Sequence, residues 1–396
     1  MKNKLVVIFS VALIFISAIC LGIVFSSNSK TKIEIVNPVS QTTLNIQTQI
    51  GKKYKDINTE SFNNNTYSFC NFYYDENLKN VIDPQSVITS NTKIYVGLSK
   101  RITNKNQIDQ NEKLVGIKFV GSLDQETINI LCNYKYLDLS ESMDVPVFLA
   151  NNSIVEKIIF PENCQIENLN NYANLKEIYL KNVSLIKNSF NNCNNLEIIN
   201  SIDSTVIENS FNNCAKLKDI KLSRNIYSLT ECFIKTKLTN IYSENNKYKV
   251  IRNALYEVFD DEKYLIKATN NTQNLSVDSS TSKILEYAFY NTQIKNVTIN
   301  AKVAEIGKYC FFDSDIESID FSRNSAPIII GESAFFRCDK LSSVKFSQYT
   351  FNIQKNAFRQ TALKTIDLSE SLILQNCGEY CFAENTYLEK TIVLLP

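Results

Sequence analysis

The chain contains no histidine and no tryptophan in 396 residues. Without an imidazole, no Ser-His-Asp or Cys-His relay can be assembled within it, and every metal site that needs an imidazole ligand is excluded. Glycine is scarce, at eight residues, and no Gly-rich phosphate loop occurs. Calcium loops of the D-x-D-x-D-G type are missing, as is any C-x-x-C pair. Charge of one sign is not in excess either. The 42 basic and 41 acidic residues are spread without long runs and leave a net charge of +1, so the basic stripe that nucleic acid needs is lacking and no nucleic-acid partner is expected.

What the sequence does have is a period. Phe190, Phe211, Phe233, Phe289, Phe311, Phe335, Phe358 and Phe382 are 21, 22, 56, 22, 24, 23 and 24 residues apart. Each follows a small or polar residue and precedes, by five or six positions, a leucine or isoleucine that opens a short apolar run, as in NSFNNCAKLKDIKL and YCFFDSDIESIDF. Three positions after Phe comes Cys193, Cys214, Thr236, Thr292, Ser314, Cys338 or Thr361. A repeat in the low twenties marks a solenoid, whose rungs bury their apolar faces only by stacking. The closing L-x-x-I-x-L pattern alternates with the period of a half-buried strand. Stacking therefore predicts one parallel sheet with Ile220, Val297, Ile319, Val344 and Ile366 pointing into one core. The Phe column fills the opposite side, at roughly 1.5–3 kcal/mol of burial per ring.

These residues resemble the BspA-like leucine-rich repeat family, in phase over most of residues 155 to 396. In the 56-residue interval, Asn245 to Ala268 resembles the inserted hairpin carried by that family, turning around Asp260, Asp261 and Glu262. Phe119 to Ser140 resembles the segment that opens such domains. Leu169, Tyr172, Leu175, Ile178 and Leu180 form a degenerate early rung with leucine at the Phe position. The fold class that follows is a repeat solenoid, mainly β, a leucine-rich repeat with a parallel sheet and few short helical turns.

Lys2 and Lys4 precede an uncharged run from Leu5 to Phe25, 21 residues long, enough to span a bilayer. The basic start directs the N-terminus to the cytoplasm and the rest outside. A signal cleaved near Ser26 or Ser29 and an uncleaved membrane anchor both remain open. Between Gly51 and Ser99, an aromatic strand with Phe69, Phe72, Tyr73 and Tyr74, an acidic turn at Asp75 and Glu76, and a closing strand Thr92 to Val96 resemble an InlB-type B-repeat, a small β-grasp-like module. The expected organisation is a signal peptide or anchor with one hydrophobic helix at 1–29, a linker at 30–42, the small module at 43–99, a linker at 100–114 and the solenoid at 115–396 with its hairpin at about 245–268.

Candidate chemistry is sparse. Ser184 with Lys187, and Ser342 with Lys345, match the S-x-x-K spacing of penicillin-recognising enzymes, but both lie inside rungs. Most of the eleven cysteines follow the repeat. They read as small buried hydrophobes, with neighbouring-rung disulfides such as Cys193 to Cys214, or metal ligation, as alternatives; Cys377 and Cys381 form a lone pair four apart. No catalytic residue, metal site or cofactor is expected. The candidate binding face is the exposed side of the parallel sheet: Asp219 and Lys221, Asn240 and Tyr242, Asn296 and Thr298, Ser318 and Asp320, Ser343 and Lys345, Thr365 and Asp367. Short, polar and mixed in sign, it suits a wet protein or glycan interface better than a small-molecule pocket. The family resemblance implies an exported, non-enzymatic cell-surface protein, adhesin-like, recognising host proteins or other cells and held to the membrane by its N-terminal segment or secreted. A structural envelope or matrix component that self-associates through an uncapped C-terminal rung is the rival expectation.

Overall fold

The computed structural model describes residues 29–143, 154–300, 302–347, 349, 351–367, 374–385 and 390–392. The Leu5–Phe25 run lies outside them, and among the described residues no helix is long and apolar enough to cross a membrane. The chain forms two compact units, one built from the residues up to Gly121 with Tyr134–Glu141, the other from Ser122–Asn133 and the residues from Ser142 onward.

The first unit comprises β1 (Lys30–Asn37), β2 (Thr42–Gln49), β3 (Tyr67–Tyr73), β4 (Thr92–Ile102), β5 (Gly116–Gly121) and β6 (Tyr136–Ser142). The expected linker at 30–42 is instead β1 and the turn into β2. Its Lys-Thr-Lys-Ile-Glu-Ile sequence alternates strictly, and Ile33 and Ile35 are fully buried. Likewise the closing strand runs on past Val96 to Ile102, through part of the expected 100–114 linker, because Leu98 and Ile102 are core residues. β4 pairs in parallel with β1 and β5 and antiparallel with β3. The expected aromatic cluster is core: Phe69 and Phe72 pack 4.8 Å apart, and Phe72 and Tyr73 are buried. Asp75 closes the acidic turn by accepting backbone N–H bonds from Asn77, Lys79 and Asn80.

In the second unit, a short helix α1 (Gln125–Leu131) is capped by Asp124, whose carboxylate accepts from the Thr127 amide. The rungs follow. Their first strands are Lys157–Ile159, Glu177–Tyr179, Ile198–Ile199, Asp219–Leu222, Asn240–Ser243, Asn274–Ser276, Asn296–Thr298, Ser318–Asp320, Ser343–Lys345, Thr365–Asp367 and Lys390–Ile392, eleven in all among the described residues. The expected single sheet is corrected in two respects. A second column of strands precedes each Phe, running through Gln165–Glu167, Val183–Lys187, Ser204–Glu208 and Ser228–Thr230 before the insertion, and through Thr281–Ile284, Glu305–Ile306, Ile328–Ile330, Phe351–Ile353 and Leu374–Cys377 after it. The first column is itself divided: Asp219–Leu222 pairs with Asn240–Ser243, the four strands from Asn274 to Lys345 form another sheet, and Thr365–Asp367 pairs with Lys390–Ile392. Both columns point apolar residues inward. Ile220, Val297, Ile319 and Ile366 are buried as expected, while Val344 is only partly so.

The Phe rings stack along the coil. Centroids lie 5.2 Å apart for Phe190 and Phe211 and 5.7 Å for Phe211 and Phe233, then 4.3, 4.7, 4.8 and 5.4 Å along Phe289, Phe311, Phe335, Phe358 and Phe382. The residues two before and two after each Phe take positive φ, as at Asn188 and Asn192, Tyr287 and Asn291, Asn356 and Gln360. Asparagine supplies eleven of the 27 non-glycine positive-φ residues described. It tolerates the left-handed region better than most residues, which lets a chain with so few glycines turn this sharply.

Before the insertion, Phe190, Phe211 and Phe233 also have positive φ, and the Phe211 and Phe233 amides donate to Ser189 and Ser210 of the preceding rung. After it the sense reverses. Phe289, Phe311, Phe335 and Phe358 donate to Cys310, Ala334, Ala357 and Cys381 of the following rung.

The insertion itself has three strands rather than the two of a hairpin. Tyr248–Ile251, Ala254–Val258 and Lys263–Ala268 pair antiparallel in turn, and the last pairs in parallel with Thr281–Ile284, so it doubles as the first strand of the second column's later sheet. Asp260, Asp261 and Glu262 sit at the turn, as expected. Buried Tyr248 joins the meander to the rung before it, its hydroxyl accepting from the Leu229 amide at 2.9 Å.

Candidate functional site

On the first-column face, each outward side chain meets its counterpart one rung away. Asp219 registers with Asn240 and Lys221 with Tyr242; Asn296, Ser318 and Ser343 form one row, and Thr298, Asp320 and Lys345 another. Parallel stacking in register brings equivalent side chains to about 5 Å, within reach of one another. The Asn240 amide donates to Asp219 at 2.8 Å, Asn296 donates to Asn274 at 2.7 Å, and the Ser318 hydroxyl donates to Asn296 at 2.7 Å. Lys345 pairs with Asp320 at 3.9 Å and Lys221 with Glu244 at 2.8 Å. Burial raises the Asp320 carboxyl, yet the Ser322 donors and the Lys345 charge outweigh it and hold it below its usual value. The Lys221 ammonium likewise holds Glu244 low.

The twelve predicted residues therefore fall on three sheets rather than one. Asp219, Lys221, Asn240 and Tyr242 lie together; Asn296, Thr298, Ser318, Asp320, Ser343 and Lys345 lie together; Thr365 and Asp367 lie on a third, with only the backbone of Asp367 described. Tyr242 is the one aromatic group among them and is 60% exposed.

Both S-x-x-K pairs are taken up by the rungs. Ser184 donates to the Cys164 carbonyl and Lys187 pairs with Glu208, while Ser342 donates to the Glu317 carbonyl and Lys345 pairs with Asp320. Cys193 and Cys214, the suggested neighbouring-rung pair, are free and buried. Burial pushes the Cys193 thiol up to about 11 and Cys214 higher still, and the Cys214 thiol donates to the Phe190 carbonyl. Such thiols serve the fold rather than reaction. Cys377 and Cys381 form a disulfide. Among the described residues no group of three or more cysteine, aspartate or glutamate side chains is placed to hold a metal ion.

A second surface escaped the sequence reading. The residue after Phe, or after Leu169 in its place, is asparagine in early rungs, where Asn170, Asn191 and Asn212 each accept from the backbone amide of the next rung at 2.7–2.8 Å. After Phe289, Phe311 and Phe335 the same position is aromatic. Tyr290 and Phe312 stack at 6.0 Å, Phe312 and Phe336 lie 5.6 Å apart, and Tyr287 stacks on Tyr309 alongside at 5.2 Å. Arg337 sits over Phe312 and Arg359 over Phe336. All five rings are half-buried, which leaves their edges at the surface. The doublets Phe289-Tyr290, Phe311-Phe312 and Phe335-Phe336 were the signal available in the sequence.

Residues 146–260 and 262–389 match the BspA type leucine rich repeat region, in six copies. Among solved structures, the chain is similar to a leucine rich cell surface protein from Faecalibacterium prausnitzii, at 16% identity with 83% of this chain and 93% of that chain covered and a TM-score of 0.44. The pneumococcal vaccine antigen PcpA is similar at 17% identity, with 77% and 75% covered and a TM-score of 0.42. A leucine-rich repeat protein from Bacteroides ovatus is similar at 18% identity, with 75% and 89% covered and a TM-score of 0.45. No curated protein matches the chain.

Proposed function

The chain belongs to the BspA-type leucine-rich repeat family, and from that premise we propose that it is an exported surface protein that binds protein or glycan on host or neighbouring cells through the first-column face of its solenoid. The observation that carries this reading is the rung-to-rung fixing of that face. Asn240 on Asp219, Ser318 on Asn296 and Lys221 on Glu244 hold their groups in place before any partner arrives. Side chains already ordered lose less freedom on association, so a flat polar face of this kind supports binding despite its shallowness. Tyr242, large, amphipathic and exposed, provides an anchor of the type that dominates interface energies. The apolar Leu5–Phe25 run directs export and holds the protein at the membrane or is removed with the signal. The N-terminal unit, which resembles an InlB-type B-repeat in its aromatic strand, acts as a spacer.

The test is binding of residues 30–396 to immobilised extracellular-matrix proteins and to whole cells, beside a variant with Asp219, Lys221, Asp320, Lys345 and Asp367 all replaced by Ala. Saturable binding that the variant loses, with its melting unchanged, supports the reading. Absence of binding by a folded protein that self-associates would favour the rival role, an envelope or matrix component assembled through solenoid ends.

A further inference from the structure

The sheet of the first unit ends in β2, which pairs with β1 over all eight of its residues without a register shift and has no strand beyond it among the described residues. Its outward N–H and C=O groups are thus a template for another strand. Natural edges are usually guarded by charge, proline or a bulge. β2 reads Thr42-Thr43-Leu44-Asn45-Ile46-Gln47-Thr48-Gln49, with none of these, whereas its neighbour β1 carries Lys30, Lys32 and Glu34.

The sequence of β2 is also nearly symmetric about Asn45. Two copies running antiparallel, related by a two-fold axis at that residue, would set Leu44 opposite Ile46 twice, Thr42 opposite Thr48, Thr43 opposite Gln47, and Asn45 opposite itself. Apolar then meets apolar, polar meets polar, and no like charges are opposed. Self-matching of this kind is what an isologous interface requires, since the same patch must face itself.

The faces agree as well. Leu44 and Ile46 register with Ile35 and Ile33 of β1, on the side of the sheet that holds the core. Yet Leu44 remains 39% exposed and lines a groove of about 480 Å³ together with Val39, Phe62, Tyr67 and Leu98. A second strand beside β2 would extend the cover over this apolar strip. A foreign charged strand would find no opposite charge on β2.

We propose that two copies of this chain join through β2, antiparallel and in register at Asn45, so that one sheet runs across both N-terminal units. The test uses the purified full chain in dodecylmaltoside micelles, followed by sedimentation between about 1 and 50 μM, the range for strand-mediated pairing of moderate affinity. The parent should sediment as a dimer. Asn45→Lys, which places two ammonium groups together at the axis while leaving an exposed edge residue's fold intact, should raise the dissociation constant at least tenfold. As a second measurement, Asn45→Cys should link into covalent dimers on mild oxidation, because residue 45 meets its own copy. Leu44→Cys, which faces residue 46, should link far less. A monomeric parent, a dimer that survives Asn45→Lys unchanged, or equal linking at positions 44 and 45 would overturn the proposal.

Discussion

Lys267 shows how far a single residue in this solenoid can depart from its usual state. Its side chain is 2% exposed, and its Nζ donates to the Tyr287 carbonyl at 3.1 Å with the Tyr290 ring 6.0 Å away. Burial pulls its pKa down from 10.5 to about 7, against a small opposing effect of the Cys310 thiol. Between those two values the unfolded chain binds a proton that the folded chain does not. Stability therefore rises with pH across that window, and the full penalty applies below it. Lys267→Met should remove the penalty. Urea melts at pH 6 and pH 9.5 should show the variant gaining on the parent at the lower pH, with the gap narrowing at the higher one; an equal offset at both would refute the assignment. The sequence concealed this residue because Leu265, Ile266, Lys267 and Ala268 are all buried. The strand there lies between a meander and a rung, so alternation no longer separates inside from outside.

At the scale of the element, the rungs are held by contact as much as by pairing. Gly307 donates to the Ile284 carbonyl at 2.8 Å, and a Cβ on it would lie 2.6 Å from the Glu286 nitrogen and 2.7 Å from the Leu285 carbonyl carbon. Those are backbone atoms of the adjacent rung and have no flexible end to yield. Gly307→Ala should accordingly cost about 1–3 kcal/mol, the usual range for forced overpacking, measured by denaturant unfolding. The first column was legible in the sequence because its apolar residues recur in fixed phase with Phe. The second column was not, since strands such as Glu305–Ile306 offer two residues and no visible alternation. The strand β1 was misread as a linker because its charges masked a strict two-residue period. Asparagine, abundant in the sequence, gained its meaning only from the backbone, at positions where φ is positive and the next rung needs an acceptor.

For the molecule as a whole, near-neutrality is achieved locally. Lys176 with Glu156, Lys216 with Glu197, Lys295 with Glu317, Lys308 with Glu332 and Lys355 with Glu379 all pair between rungs. Each exposed pair is worth only about 0–1 kcal/mol, but together they leave little field to steer a charged partner. Binding through the solenoid face should change less than about threefold between 50 and 300 mM salt; a steep salt dependence would point instead to a charged site. The reversal of Phe amides across the insertion has one more consequence. The Phe233 amide reaches back and the Phe289 amide reaches forward, so neither crosses the interval between them. The meander bridges it instead, through the Leu229 amide on the Tyr248 hydroxyl, the Asn270 amide on the Leu238 carbonyl and the pairing of its last strand with Thr281–Ile284. The exposed turn at Asp260 and Asp261 lies clear of those bonds, and a protein engineer wishing to graft a new domain onto this scaffold should splice it there, between the two halves.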